Sequence, residues 1–136
     1  MKTKMLFIAM AILLSSVQLI KAQDKEKRVY SYGWAYSYKS KYLFISPIVS
    51  ATENRKGYVS PLYNVLAYQW QKRFFKVLDD YTDLSSTDFT NDVFVWQYDY
   101  DKIDDMRTEK IRKFKSEGFQ VRYIDDFWYN QKKNDE

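Results

Sequence analysis

From Val29 to Tyr38 large and small side chains alternate one for one. Tyr30, Tyr32, Trp34, Tyr36 and Tyr38 fall on one side, and Ser31, Gly33, Ala35 and Ser37 on the other. A period of two with aromatics in register predicts a β-strand. Lys39-Ser40-Lys41 is polar enough to turn the chain, and Tyr42 to Val49 resumes as a second strand, apolar on both faces through Leu43, Phe44 and Ile45. Residues 29–49 therefore read as a hairpin, followed by a loop over 50–59. Ser60-Pro61 opens a helix with a hydroxyl cap and the residue best suited to the first helical position. Leu62, Val65, Leu66, Trp70, Phe74 and Val77 then recur every three or four residues, down to about Leu78.

After a polar, acid-rich connection over 79–92, alternation returns from Val93 to Tyr100, with Phe94, Trp96, Tyr98 and Tyr100 on one face. Asp101 is placed to cap a second helix, whose thin apolar stripe is Ile103, Met106, Ile111 and Phe114; Gly118 stands where a left-handed residue closes it. Phe119 to Ile124 reads as the last strand, parallel to 93–100 through a right-handed crossover. Phe127-Trp128-Tyr129 follows as an apolar clasp. The expected fold class is α+β: a two-layer sandwich of about four strands in the order ββαβαβ, with two helices on one face.

Before the strands, Lys2 and Lys4 precede the apolar run Leu6 to Leu14, and Ile20-Lys21-Ala22 offers a cleavage region before Gln23. This is the layout of a secretory signal peptide. It resembles bacterial leaders whose mature chains begin at Gln after Ala. Ser15, Ser16 and Gln18 break the run short of the roughly 18–20 apolar residues of a spanning helix. The reading divides the chain into a leader over 1–22, a frayed segment over 23–28, one domain over 29–129 and a polar tail over 130–136. The expected location is periplasmic or secreted, with no membrane span after cleavage.

Cleavage changes the charge argument, because the leader carries Lys2, Lys4 and Lys21 and no acid. The formal net charge falls from +4 to +1, too balanced for a nucleic-acid partner. With no Cys and no His, there is no thiolate nucleophile, no disulfide, no imidazole base and no ordinary zinc site. Three isolated glycines make no phosphate loop. No catalytic residue, cofactor or metal is expected.

Aromatics are 19% of the chain. If the two aromatic rows lie side by side, Tyr32, Trp34, Tyr36, Trp96 and Tyr98 form a platform suited to a sugar ring or an extended peptide. The competing reading is core. The small residues opposite have little to bury, which favours core; the excess of Tyr over Phe keeps the binding surface in play. A second candidate is a meeting of Asp99, Asp101, Asp125 and Asp126 at the strand ends, as a cation site or an acid–base pair. Lys110, Arg112, Lys113 and Lys115 read as the solvated side of the second helix.

Residues 93–124, a strand, a helix, Lys115-Ser116-Glu117-Gly118-Phe119 and a strand, resemble the second half of SPOR domains, small bacterial envelope modules that bind peptidoglycan glycan. The first half departs from that family by opening with a hairpin, and no ligand motif is shared. The function expected is that of a small exported, non-enzymatic binding or accessory protein of the bacterial cell envelope, acting through a sheet face or edge on another protein. The alternatives are a glycan-binding module using the aromatic face and a His-free hydrolase using carboxylates.

Overall fold

The computed structural model describes residues 26–54 and 61–129. The leader, the cap at Ser60 and the polar tail lie outside the described residues. The elements are strands β1 (Glu26–Ser37), β2 (Tyr42–Ile45) and β3 (Val49–Asn54), helix α1 (Pro61–Leu78), a short 3-10 turn (Ser86–Asp88), strand β4 (Thr90–Gln97), helix α2 (Tyr100–Ser116) and strand β5 (Gln120–Tyr123). Among the described residues the fold is mixed α+β, with one sheet of five strands and two helices.

The aromatic alternation marks the sheet's longest strand. β1 begins at Glu26, so residues 26–28 belong to the strand rather than to a frayed lead-in. The expected second strand is divided: β2 ends at Ile45 and β3 resumes at Val49, extending pairing into what reads as a loop. Both pair antiparallel with β1, Trp34 opposite Ile45 and Ser31 opposite Val49. Two residues on β1, Tyr32 and Gly33, thus face three on the returning chain, Ser46 to Ile48, which is a bulge around Ser46-Pro47. Proline has no N–H to give a ladder, which is why the break falls there.

β4 pairs antiparallel with β1 over residues 30–36, overlapping both the β2 and the β3 registers. A strand has only two edges, so β2 and β3 share one edge of β1 and β4 takes the other. β5 then adds to β2 in parallel, Tyr42 opposite Gln120. Across the sheet the order is β4, β1, β2 with β3, then β5. β4 and β5 point the same way, as expected of the crossover, but two strands lie between them.

The expected placement of both helices on one face does not hold. Ala35 and Phe44 are cross-strand partners and pack with Leu66, Trp70, Phe74 and Leu78 of α1. Tyr32 and Ile45, on the opposite face, pack with Ile103 of α2, and Leu43 packs with Phe114 and Phe119. The arrangement is helix, sheet, helix. The physical reason lies in the small side of β1, where Ser31, Gly33, Ala35 and Ser37 are all buried. Small residues there do not mean that nothing is covered. They let the bulky helix come close.

Gly33 shows how close. A Cβ built on it would stand 2.2 Å from Cδ2 of Trp70, far inside van der Waals contact. The indole lies on the bare backbone, fully buried, and its Nε1 donates to the Trp34 carbonyl at 3.3 Å. The Gly33 N–H donates to Ser46 Oγ at 2.8 Å, and the Ser46 N–H returns to the Gly33 carbonyl at 2.9 Å. Ser46 thereby satisfies the backbone that the bulge would otherwise leave open.

The helix ends follow local rules. Asp99, rather than Asp101, caps α2: its Oδ1 accepts from the Asp101 N–H at 2.9 Å and from the Lys102 N–H at 3.4 Å. At the other end Gly118 takes φ +84° as expected, and the Phe119 N–H reaches back to the Phe114 carbonyl at 3.0 Å. Lys113 and Lys115 sit in the last turn, where the helix dipole favours cations.

Gly33→Ala is expected to cost about 1–3 kcal/mol by forcing Trp70 off its seat, read as a lower urea midpoint. A variant as stable as the parent would show that α1 does not rest on Gly33.

Candidate functional site

The aromatic row of β1 lies under α2. Tyr32 is 1% exposed, while Tyr30, Trp34 and Tyr36 are half-buried and pack in the same layer. Ring contacts knit the row to the helix: Tyr36 stands 5.1 Å from Phe114 in a tilted pair, while Phe114 at 4.7 Å from Phe119 and Tyr30 at 5.4 Å from Tyr100 meet edge-on. Aromatic pairs at these separations stabilise by about 0.5–1.5 kcal/mol beyond the area they bury.

Ring faces that packing leaves over are covered by the chain's own cations. Lys110 Nζ sits 4.1 Å above the Trp34 ring, and Lys41 Nζ lies 4.8 Å from the Phe119 centroid and 5.2 Å from that of Tyr38. Lys27 Nζ stands 5.1 Å from the Tyr98 ring. Such contacts are worth about 0.5–2 kcal/mol according to their desolvation. Burial over the indole pushes the Lys110 ammonium below its ordinary pKa, and Lys113 adds to the effect. A sugar stacking on Trp34 would have to displace this charge.

Of the five residues expected in an aromatic site, Tyr32, Trp34 and Tyr36 thus stand together beneath α2. Tyr98 lies beyond the end of β4, half exposed. The side chain of Trp96 falls outside the described residues. The carboxylates do not converge. Asp99 caps α2, and Asp126 is held by Arg73, with Nε to Oδ1 at 3.1 Å and Nη2 to Oδ2 at 2.5 Å. They follow strands that are three inter-strand steps apart, roughly 14 Å. Among the described residues no group of three or more acids stands close enough to hold a metal ion. No helix among them is long and apolar enough to cross a membrane.

Of the sheet's outer strands, β5 and β4 offer little for strand addition, while β3 pairs with β1 alone among the described residues. β5 has only four residues. On β4 the Asp92 carboxylate accepts the Val93 N–H at 2.8 Å and the Tyr63 hydroxyl at 2.9 Å, so a charge sits across the edge, a common guard against pairing.

What the fold does present is Trp128. The chain around it is fixed. Ile124 donates its N–H to the Ile45 carbonyl at 2.9 Å, Phe127 is buried with its ring 5.4 Å from Trp70, and Tyr129 packs on the same core. The Arg73 fork holds Asp126 from α1 and lowers its carboxyl pKa. On this anchored stretch the Trp128 indole is 71% exposed. The sequence presents 127–129 as one apolar clasp; the alternation of buried Phe127, exposed Trp128 and half-buried Tyr129 is the part it hides.

No protein-family model, no curated protein and no solved structure matches the chain.

Tyr32 provides a pH test of this arrangement. Burial pushes its hydroxyl up to about 12, with Arg107 pulling the other way. The unfolded chain ionises first, near pH 10, so the stability tied to neutral Tyr32 is intact below pH 10 and is lost as pH rises toward 12. The loss is on the order of 2–3 kcal/mol. Urea midpoints followed from pH 9 to 12 should fall less steeply in Tyr32→Phe than in the parent; equal slopes would place the phenol in water.

Proposed function

We propose that the protein is a small exported, non-enzymatic accessory protein of the bacterial cell envelope that works by binding another protein. The observation that carries this reading is Trp128, an indole held in solvent by a backbone whose neighbours on both sides are packed. Exposing so large an apolar surface is unfavourable, and a flexible tail would fold it away. Here the Arg73–Asp126 fork and the Phe127 plug prevent that collapse.

Tryptophan is among the residues that most often dominate binding energy at protein interfaces, seated in a partner's pocket and ringed by polar contacts. The Arg73–Asp126 pair beside it supplies such a polar rim. Because the anchor is already ordered, association loses little further chain entropy. Acting from a projecting side chain, rather than from a sheet face, also agrees with two faces covered by helices, with a β5 edge that is short and with a β4 edge that is charge-guarded.

A glycan platform on the β1 aromatics has weaker support, since α2 and Lys110 occupy those rings. Export and an envelope location rest on the leader-like first 22 residues.

Trp128→Ala should abolish co-purification of an envelope protein with the tagged chain expressed in a bacterial host, while its unfolding free energy from urea titration stays within about 0.5 kcal/mol of the parent. Retention of the same partner by the variant would remove the indole from the interface.

A further inference from the structure

A second surface has a different chemistry. Between the first half of α1 and β4 runs a groove of about 370 Å³, within the size range of small-ligand clefts. Its lining is polar and aromatic rather than basic: Tyr63, Asn64, Tyr68 and Gln71 from the helix, Asn91 and Asp92 from the strand. Register explains the placement. Asn91 pairs with Ala35, whose side chain belongs to the face under α1, so its amide is directed to the helix side.

Asn91 is also the anomaly of the site. Both its Oδ1 and its Nδ2 are shielded from water, yet neither has a hydrogen-bond partner among the described residues. A buried amide left in this state costs about 1–3 kcal/mol, and a β-branched or apolar residue would suit the strand better. The neighbouring groups are set in place. Asp92 holds the Tyr63 hydroxyl at 2.9 Å, and that bond raises the phenol's pKa, keeping it a donor toward the carboxylate. Tyr68, 63% exposed, offers a flat ring on the groove's open side.

The combination selects a ligand class. Three amides supply paired donors and acceptors of the kind that match neighbouring hydroxyls. Among the described residues the only charge in the lining is Asp92, which disfavours an anion, and its Oδ1 is already engaged by Tyr63 and the Val93 N–H. An exposed tyrosine ring suits the apolar C–H face of a pyranose. We infer that the groove between α1 and β4 binds a short neutral saccharide, with Gln71 and Asn64 addressing its hydroxyl or acetamido groups, Tyr68 stacking on a ring, and the Asn91 amide, shielded from water in this structure, turning outward to complete the set. The site is separate from Trp128 and does not depend on the protein-binding role.

The test uses the full mature chain in isothermal titration with two probes, cellobiose for hydroxyl groups alone and N,N′-diacetylchitobiose for acetamido groups, and with triglycine as the peptide control. At least one disaccharide should bind saturably. Gln71→Ala, at an exposed helix position, and Asn91→Ala should each weaken that binding about tenfold, one hydrogen bond's worth. Asn91→Ala should at the same time raise the urea midpoint, because it removes the orphaned amide; a residue with only a structural role would lower it. Trp128→Ala should leave the saccharide affinity unchanged, so that loss of the partner reading and loss of this one are told apart. Absence of saturable binding by both disaccharides to folded protein, affinity unaltered in Gln71→Ala and Asn91→Ala, or binding of triglycine in place of sugar would each overturn the inference.

Discussion

The structure depends on a missing side chain. At Gly33 the sheet's central strand offers bare backbone to one face, and Trp70 fills the space with an indole that any Cβ would strike. The contact sets how near α1 can lie, and the Trp70 Nε1 bond to the Trp34 carbonyl fixes its position along the strand. From that seat Phe74 stacks against the indole at 6.1 Å and meets Phe44 at 5.4 Å, while Phe127 closes on Trp70 from the C-terminal side. In a chain without cysteine, packing of this kind takes the place of a covalent staple.

Much of this was legible in the sequence, and the misses share a cause. The β1 alternation, the four-residue rhythm of Leu66, Trp70, Phe74 and Leu78, and the left-handed Gly118 are local signals that arise from backbone geometry and side-chain periodicity. The layering is not local. Ser31, Gly33, Ala35 and Ser37 look like a face with nothing to bury, because a sequence shows the size of a residue and not the size of what it receives. The division of β2 from β3 at Pro47 was visible as a proline, but its consequence needed the partner strand. Strand order was likewise hidden: the β4–α2–β5 path reads as adjacent strands, whereas β1 and β2 occupy the space between.

The candidate surfaces show the same divide. Tyr32, Trp34 and Tyr36 were found by alternation, but their covering by α2 and by Lys110 comes from residues some eighty positions away. Trp128 was visible as an aromatic and mistaken for core, since its exposure follows from the Arg73 fork on Asp126 and the burial of Phe127. Asn91 and Gln71 carried no sequence signal beyond polarity; Asn91 reads as part of the polar connection over 79–92, whereas β4 begins at Thr90. Site chemistry here is made by elements meeting, and meeting is what a linear reading lacks.

The Ser46 bulge ties the two helical layers to one point. Its hydroxyl and N–H serve Gly33, on which Trp70 of α1 rests, and its carbonyl accepts Arg107 Nε of α2 at 2.8 Å. Each helix is therefore fastened, from opposite sides, to the same pair of residues. Neither layer can detach without disturbing the footing of the other, so the molecule should open and close as one cooperative unit, with no long-lived half-assembled form.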